Sequence, residues 1–148
     1  MDYESSRKVF NKKAPSDGGN TYIPLPSNAM HYINHPKMDA GKLYLYALII
    51  DYYNVDDGYA YPAIDTLSVK YGCVEDTTSK HLDILKEVGL IDFPEKGAYV
   101  PLEPLPEEAF YEQFPEAWAN YKRRLQRKES RRSDAKERMR KWRQNKGY

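Results

Sequence analysis

The chain has 148 residues, 41% hydrophobic and 30% charged, with a formal net charge of +1, which suits one globular domain with an appendage and excludes full disorder. No apolar run reaches the roughly 18 residues of a membrane span, the longest, around Leu43 to Ile50, being about half that. The first twenty residues hold no apolar stretch of a secretory signal and the one cysteine, Cys73, makes no disulfide framework, so a reducing, cytoplasmic setting without membrane attachment is expected.

In chain order, residues 1–20 are polar and carry Ala14-Pro15-Ser16-Asp17-Gly18-Gly19-Asn20, which reads as a flexible leader. Thr21 to Leu25 reads as a short extended segment that Pro24 and Pro26 confine to a sheet edge. Ser27 to Asn34 reads as a helical turn stopped before Pro36. From Met38 to Asn54 the pattern is almost wholly apolar, with Asp39 placed to cap the first turn. A helix apolar nearly all round is a central one. Asn54-Val55-Asp56-Asp57-Gly58 is turn chemistry. It resembles part of a calcium loop but lacks the bidentate glutamate that closes one, which leaves a plain turn.

Ile64, Leu67, Ser68 and Tyr71 keep helical spacing between Pro62 and Gly72. Thr78, Leu82, Leu85 and Val88 form one face of a second helix from Glu75 to Gly89. Only Gly72-Cys73-Val74 separates the two, the spacing of a helix-turn-helix. Cys73 in that turn reads as a small packing residue. Leu90 to Phe93, the turn Pro94-Glu95-Lys96-Gly97 and Ala98 to Leu102 then read as a hairpin, which completes the order of a winged helix. The expected architecture is mainly α with a small β wing: a leader at 1–20, a winged helix-turn-helix at 21–103, and a proline linker with a basic helical extension at 104–148.

Met38-Asp39-Ala40-Gly41-Lys42-Leu43-Tyr44-Leu45-Tyr46-Ala47-Leu48, Tyr61-Pro62-Ala63-Ile64-Asp65-Thr66-Leu67, Thr77-Thr78-Ser79-Lys80-His81-Leu82 and Leu85-Lys86-Glu87-Val88-Gly89-Leu90-Ile91 together resemble the winged helix-turn-helix of replication initiators and replisome organisers, the DnaD-like group included, of Gram-positive plasmids and phages. The resemblance spans roughly residues 21–102 and leaves out the basic tail. It implies that the helix from Glu75 enters a major groove with its N-terminal residues at base edges. Thr77, Thr78, Ser79 and Lys80, with Lys96 at the wing tip, are then the DNA contacts, and Asp83 is also outward. Glu75 and Asp76 depart from the family pattern, which places Ser, Arg or Lys there. Two carboxylates repel phosphates but can accept from cytosine N4, which makes them specificity candidates.

After Pro104 to Pro106, helix is expected from Glu107 to about Lys128 and again from about Ser133 to Asn145. Residues 122–148 hold 13 Lys and Arg against three Asp and Glu, a net of +10, so the remaining 10 basic and 19 acidic residues give the body −9. This asymmetry fits a polyanion-binding arm, with Lys122, Arg123, Arg124, Arg127, Lys128, Arg131 and Arg132 on phosphates, and equally a tail that folds back on its own body. Trp118, Tyr121, Leu125, Ala135, Met139 and Trp142 keep heptad spacing, with Lys128 and Arg132 at its polar positions. They form a candidate oligomer seam for a homodimer.

His31 and His35 stand at i, i+4 without a third metal ligand nearby, so no metal or other cofactor is expected. The tyrosines Tyr44, Tyr46, Tyr52, Tyr53, Tyr59, Tyr61 and Tyr71 read as core or rim packing rather than a stacking platform. No phosphate-binding glycine loop, nucleophile elbow or zinc-hydrolase helix occurs, and His81 shows no obvious partner, so no enzymatic activity is expected. The expected function is double-stranded DNA binding in replication initiation, partition or transcription regulation of a mobile element, with replication or partition proteins as further partners. The alternative is an interaction module whose acidic face binds a partner or its own basic tail.

Overall fold

The computed structural model describes Val9 and residues 22–54, 59–60, 62–95 and 97–147, with the side chains of Asn54, Tyr59 and Ala60 excepted. The rest of the leader, Thr21, the turn residues Val55 to Gly58, Tyr61 and the wing-tip Lys96 lie outside the described residues.

A 3-10 helix, Ser27–Asn34, precedes α1 (Ala40–Tyr52), β1 (Tyr53–Asn54), β2 (Tyr59–Ala60), α2 (Ile64–Tyr71), α3 (Glu75–Glu87), β3 (Ile91–Glu95), β4 (Ala98–Pro101), α4 (Glu107–Gln113) and α5 (Pro115–Lys146). The sheet is antiparallel in the order β1-β2-β4-β3. Three helices followed by a hairpin make the mainly helical winged helix-turn-helix that the sequence patterning implies.

Each expected boundary here has a visible cause. Asp39 begins α1 by accepting the Lys42 amide on Oδ1 at 2.8 Å, while its Oδ2 accepts Lys42 Nζ at 2.9 Å. Seven α1 residues are buried, Leu45, Tyr46 and Ile49 almost completely. Gly72 (φ +77°) ends α2 and Gly89 (φ +86°) follows α3, each in the left-handed region that glycine enters without strain. Pro94 lies in β3, an edge strand, where a missing N–H costs no ladder bond.

Three expectations differ. Tyr22 to Pro26 form no strand. Pro24 and Pro26 sit two apart, so both missing donors fall on one edge of the segment and leave it little to pair with. β1 and β2 extend the wing sheet through Ala60 opposite Tyr99, where the sequence shows only a turn. The C-terminal helix breaks at Phe114 (φ −123°, ψ +79°) rather than near residues 128–133, because a residue before proline is driven out of the helical region and Pro115 then starts α5. From there α5 runs unbroken for 32 residues, about 48 Å at 1.5 Å per residue. The core does not stop at the wing: Phe110 and Ala117 are fully buried in the same cluster as Tyr32, Leu45 and Leu85.

Asp39→Ala removes both the α1 cap and the partner of the nearly buried Lys42. A loss of about 1–2 kcal/mol in unfolding free energy is expected at neutral pH. Burial alone would raise the Asp39 carboxyl, but the hydrogen bonds from Lys42 outweigh it and hold the group below its usual value. A depressed carboxylate contributes stability that is present above its unfolded pKa and lost as pH falls through the folded one. The variant's deficit in thermal midpoint therefore shrinks in acid. An equal deficit at all pH values would leave the cap without an ionic component.

Candidate nucleic-acid interface

The α2–α3 turn is Gly72 to Val74, with Cys73 half-buried and unpaired. Val74 caps α3 with no side-chain hydrogen bond, so Glu75 and Asp76 in the first turn face orphan N–H groups and the positive end of the helix. That gives the two carboxylates a helix-stabilising role in addition to any contact they make outside. Glu75, Asp76, Ser79, Lys80 and Asp83 are exposed and Thr77 is half-buried. Thr78 does not reach solvent. It is 0% exposed and its hydroxyl donates to the Val74 carbonyl at 3.0 Å, so the assignment of Thr78 as a DNA contact is corrected. The spacing that puts it on one face with Leu82 and Leu85 already turns it inward.

His81, without an obvious partner in the sequence, has one in space: Tyr71 Oη lies 2.7 Å from its Nδ1, with the rings edge to face. This contact ties α2 to α3. Burial lowers the His81 imidazole below its usual value, Lys42 adds to that and Asp39 opposes it, while burial pushes Tyr71 up to about 12. Three more tyrosines hydrogen-bond the main chain. Tyr46 donates to the Leu102 carbonyl at 2.6 Å, Tyr44 to the Lys70 carbonyl at 2.8 Å, and Tyr32 Oη accepts the Leu105 amide at 2.9 Å.

Between α3, the start of α2 and the wing lies a groove of about 450 Å³. Ile64, Leu82, Phe93 and Tyr99 line it, and Ser79 and Asp83 stand beside them. Phe93 and Tyr99 meet edge to face at 5.2 Å, and Lys86 Nζ lies 5.1 Å above the Phe93 ring. Of the other charges on α3, Glu87 pairs with Lys37 at 2.7 Å.

The start of α5 is anchored to the 3-10 helix and to α4. Asn34, buried in the 3-10 helix, accepts Arg124 on Oδ1 at 2.8 Å and Asn120 on its carbonyl at 3.0 Å, and donates to Tyr111 Oη at 2.9 Å. Tyr111 stacks on Tyr121 at 5.6 Å and meets Trp118 at 5.2 Å. Trp118 and Tyr121 therefore belong to the body's packing, and Arg124 is part of the anchor. Arg123 bonds Asn120 at 2.7 Å and Lys122 lies 5.7 Å over Trp118. Every described residue from Lys122 onward is exposed, including Leu125, Met139 and Trp142. About 30 Å of α5 lies beyond Leu125. Arg127, Lys128, Arg131 and Arg132 line one shallow hollow along it.

His31 Nε2 lies 2.7 Å from the Leu105 carbonyl, and His35 Nδ1 accepts the Lys37 amide at 3.1 Å. Both rings serve to seat α4 and α5, with Phe110 at 4.9 Å from His31 and Phe114 at 4.8 Å from His35. Among the described residues no cluster of three His, Cys, Asp or Glu could hold a metal ion, and no helix is long and apolar enough to cross a membrane.

A family model described as "Helix-turn-helix domain" matches residues 41–91, which run from the first turn of α1 to the start of β3. No curated protein matches the chain. A solved structure described as "Structure of MDR initiator" is similar at 17% identity and a TM-score of 0.47, covering 71% of this chain and 94% of that one.

Proposed function

We propose that this is a non-catalytic, double-stranded DNA-binding protein in which α3 reads a major groove and α5 supplies most of the phosphate contacts. The observation that carries this is a helix-turn-helix whose α3 exposes Glu75, Asp76, Ser79 and Lys80, on a body that continues into a 32-residue, cation-rich helix. Ser79 and Lys80 are the neutral and cationic groups on the outward face, and Glu75 and Asp76 accept from cytosine N4 where the sequence allows it. Arg127, Lys128, Arg131 and Arg132 carry no sequence information and set affinity and salt dependence. Initiation of replication on a plasmid or phage is the role that the sequence resemblance favours, and partition or repression would use the same contacts.

Binding to a random duplex and to a selected sequence, measured at two salt concentrations, tests the reading. Ser79→Ala with Lys80→Ala is expected to cut the preference for the selected sequence by about tenfold to a hundredfold while leaving random-duplex affinity within a few-fold. Failure of the full chain to bind any duplex at low salt removes the proposal.

A further inference from the structure

We infer that the groove between α3 and the wing takes an unpaired guanine base from a DNA single strand, Asp83 accepting from its N1 and N2 and Ser79 donating to its O6. The inference rests on the proposal that this protein holds DNA, and adds a single-stranded mode to the duplex one.

The groove supplies the room. Its volume of about 450 Å³ is that of a small-molecule pocket, and Ile64, Leu82, Phe93 and Tyr99 give it apolar and aromatic walls. Such walls suit the flat faces of a base that has left its stack. Lys86 Nζ, 5.1 Å over the Phe93 ring, brings a cation to the wing side for a neighbouring phosphate.

The polar groups supply the choice of base. Ser79 and Asp83 are exposed and one turn apart on α3, so they lie on one side of it. Burial raises the Tyr99 hydroxyl above its usual value and the Asp83 charge adds to that, which puts the carboxylate within electrostatic reach of the groove wall. An ionised carboxylate only accepts, whereas a hydroxyl can donate. Guanine presents two adjacent N–H donors, on N1 and N2, next to the O6 acceptor. That edge matches a carboxylate followed by a hydroxyl, and two charge-assisted hydrogen bonds are the strong kind. Adenine and cytosine set a bare ring nitrogen beside their one amino group, and thymine flanks its N–H with two carbonyls, so each of them turns a lone pair toward the carboxylate.

In a duplex, guanine shows the major groove only O6 and N7, its N1 and N2 protons being spent on cytosine. The site therefore needs the strand unpaired. The source is a strand rather than a free nucleotide: the sequence holds no phosphate-binding glycine loop, while α5 carries a row of cations for a backbone.

Fluorescence anisotropy with labelled oligothymidine strands that carry one central guanine, inosine, adenine or cytosine is the test, with a random duplex measured beside them. At about 0.1 M salt the guanine strand should bind about tenfold to a hundredfold more tightly than oligothymidine, the adenine and cytosine strands within a few-fold of it. Inosine, which lacks the N2 amino group, should fall between. Asp83→Asn changes an exposed side chain, and circular dichroism checks its fold. It should bring the guanine strand down to oligothymidine and leave random-duplex affinity within a few-fold. A wild-type chain without guanine preference, inosine bound as tightly as guanine, or a preference that survives Asp83→Asn overturns the inference while duplex binding stands. A chain that binds neither strand nor duplex overturns it together with the reading it rests on.

Discussion

Ending the chain after Gln126 is expected to lower affinity for random duplex by about a thousandfold at 50 mM salt while barely changing thermal stability. The cut removes ten Lys and Arg and three Asp and Glu, a net of +7. Each phosphate neutralised by a cation contributes about 0.9 to the slope of log affinity against log salt. If six of the ten meet phosphates, the slope falls by about five, so the truncated and full chains converge as salt rises. Stability is spared because every described residue beyond Gln126 is exposed, and such positions usually change unfolding free energy by no more than about 0.5 kcal/mol. The position of the cut matters. Ending at Tyr121 would remove Arg124 from Asn34 and confuse loss of charge with loss of the anchor. An unchanged salt slope in the 1–126 protein would show that α5 does not meet phosphates and that α3 and the wing bind alone.

The winged helix was legible because its signals are local. Asp39 caps α1, glycines close α2 and α3, and apolar residues recur at helical spacing, so these elements follow from a few residues each. The strands β1 and β2 were not legible, since two residues each are too few to show alternation. Phe114-Pro115 carried a break signal, yet the charge-rich stretch around Ser130 drew the expected break instead. Ser and Asp there point outward from a helix that tolerates them. Of the site, exposure of Glu75, Asp76, Ser79 and Lys80 followed from the helix period. Two contacts could not be read from spacing: Tyr71 with His81, on different helices, and Asn34 with Arg124, 90 positions apart.

Asn34 is not the strongest part of that anchor. Phe110 is 0% exposed, the one buried residue of α4, and its ring centroid lies 4.3 Å from Tyr32, 4.9 Å from His31 and 5.2 Å from both Tyr111 and Phe114. Phe110→Ala is expected to cost about 3–5 kcal/mol, because four rings that converge on one cannot collapse into the space it leaves. At about 2–4 °C per kcal/mol for a chain of this size, the thermal midpoint drops by roughly 10 °C. The loss should be local first: in hydrogen exchange, amides of α4 and the first turns of α5 lose protection ahead of α1 to α3. The same variant separates the arm's charge from its direction. With every cation retained, random-duplex binding at low salt should stay within a few-fold of wild type, unlike that of the 1–126 protein. Preference for a selected sequence should fall, because an arm no longer fixed to the body cannot hold α3 in register with the phosphates it grips. Phe110→Leu should restore most of both properties. A Phe110→Ala protein that keeps α4 and α5 protected and loses less than about 1 kcal/mol would place the anchor in the Asn34 hydrogen bonds instead.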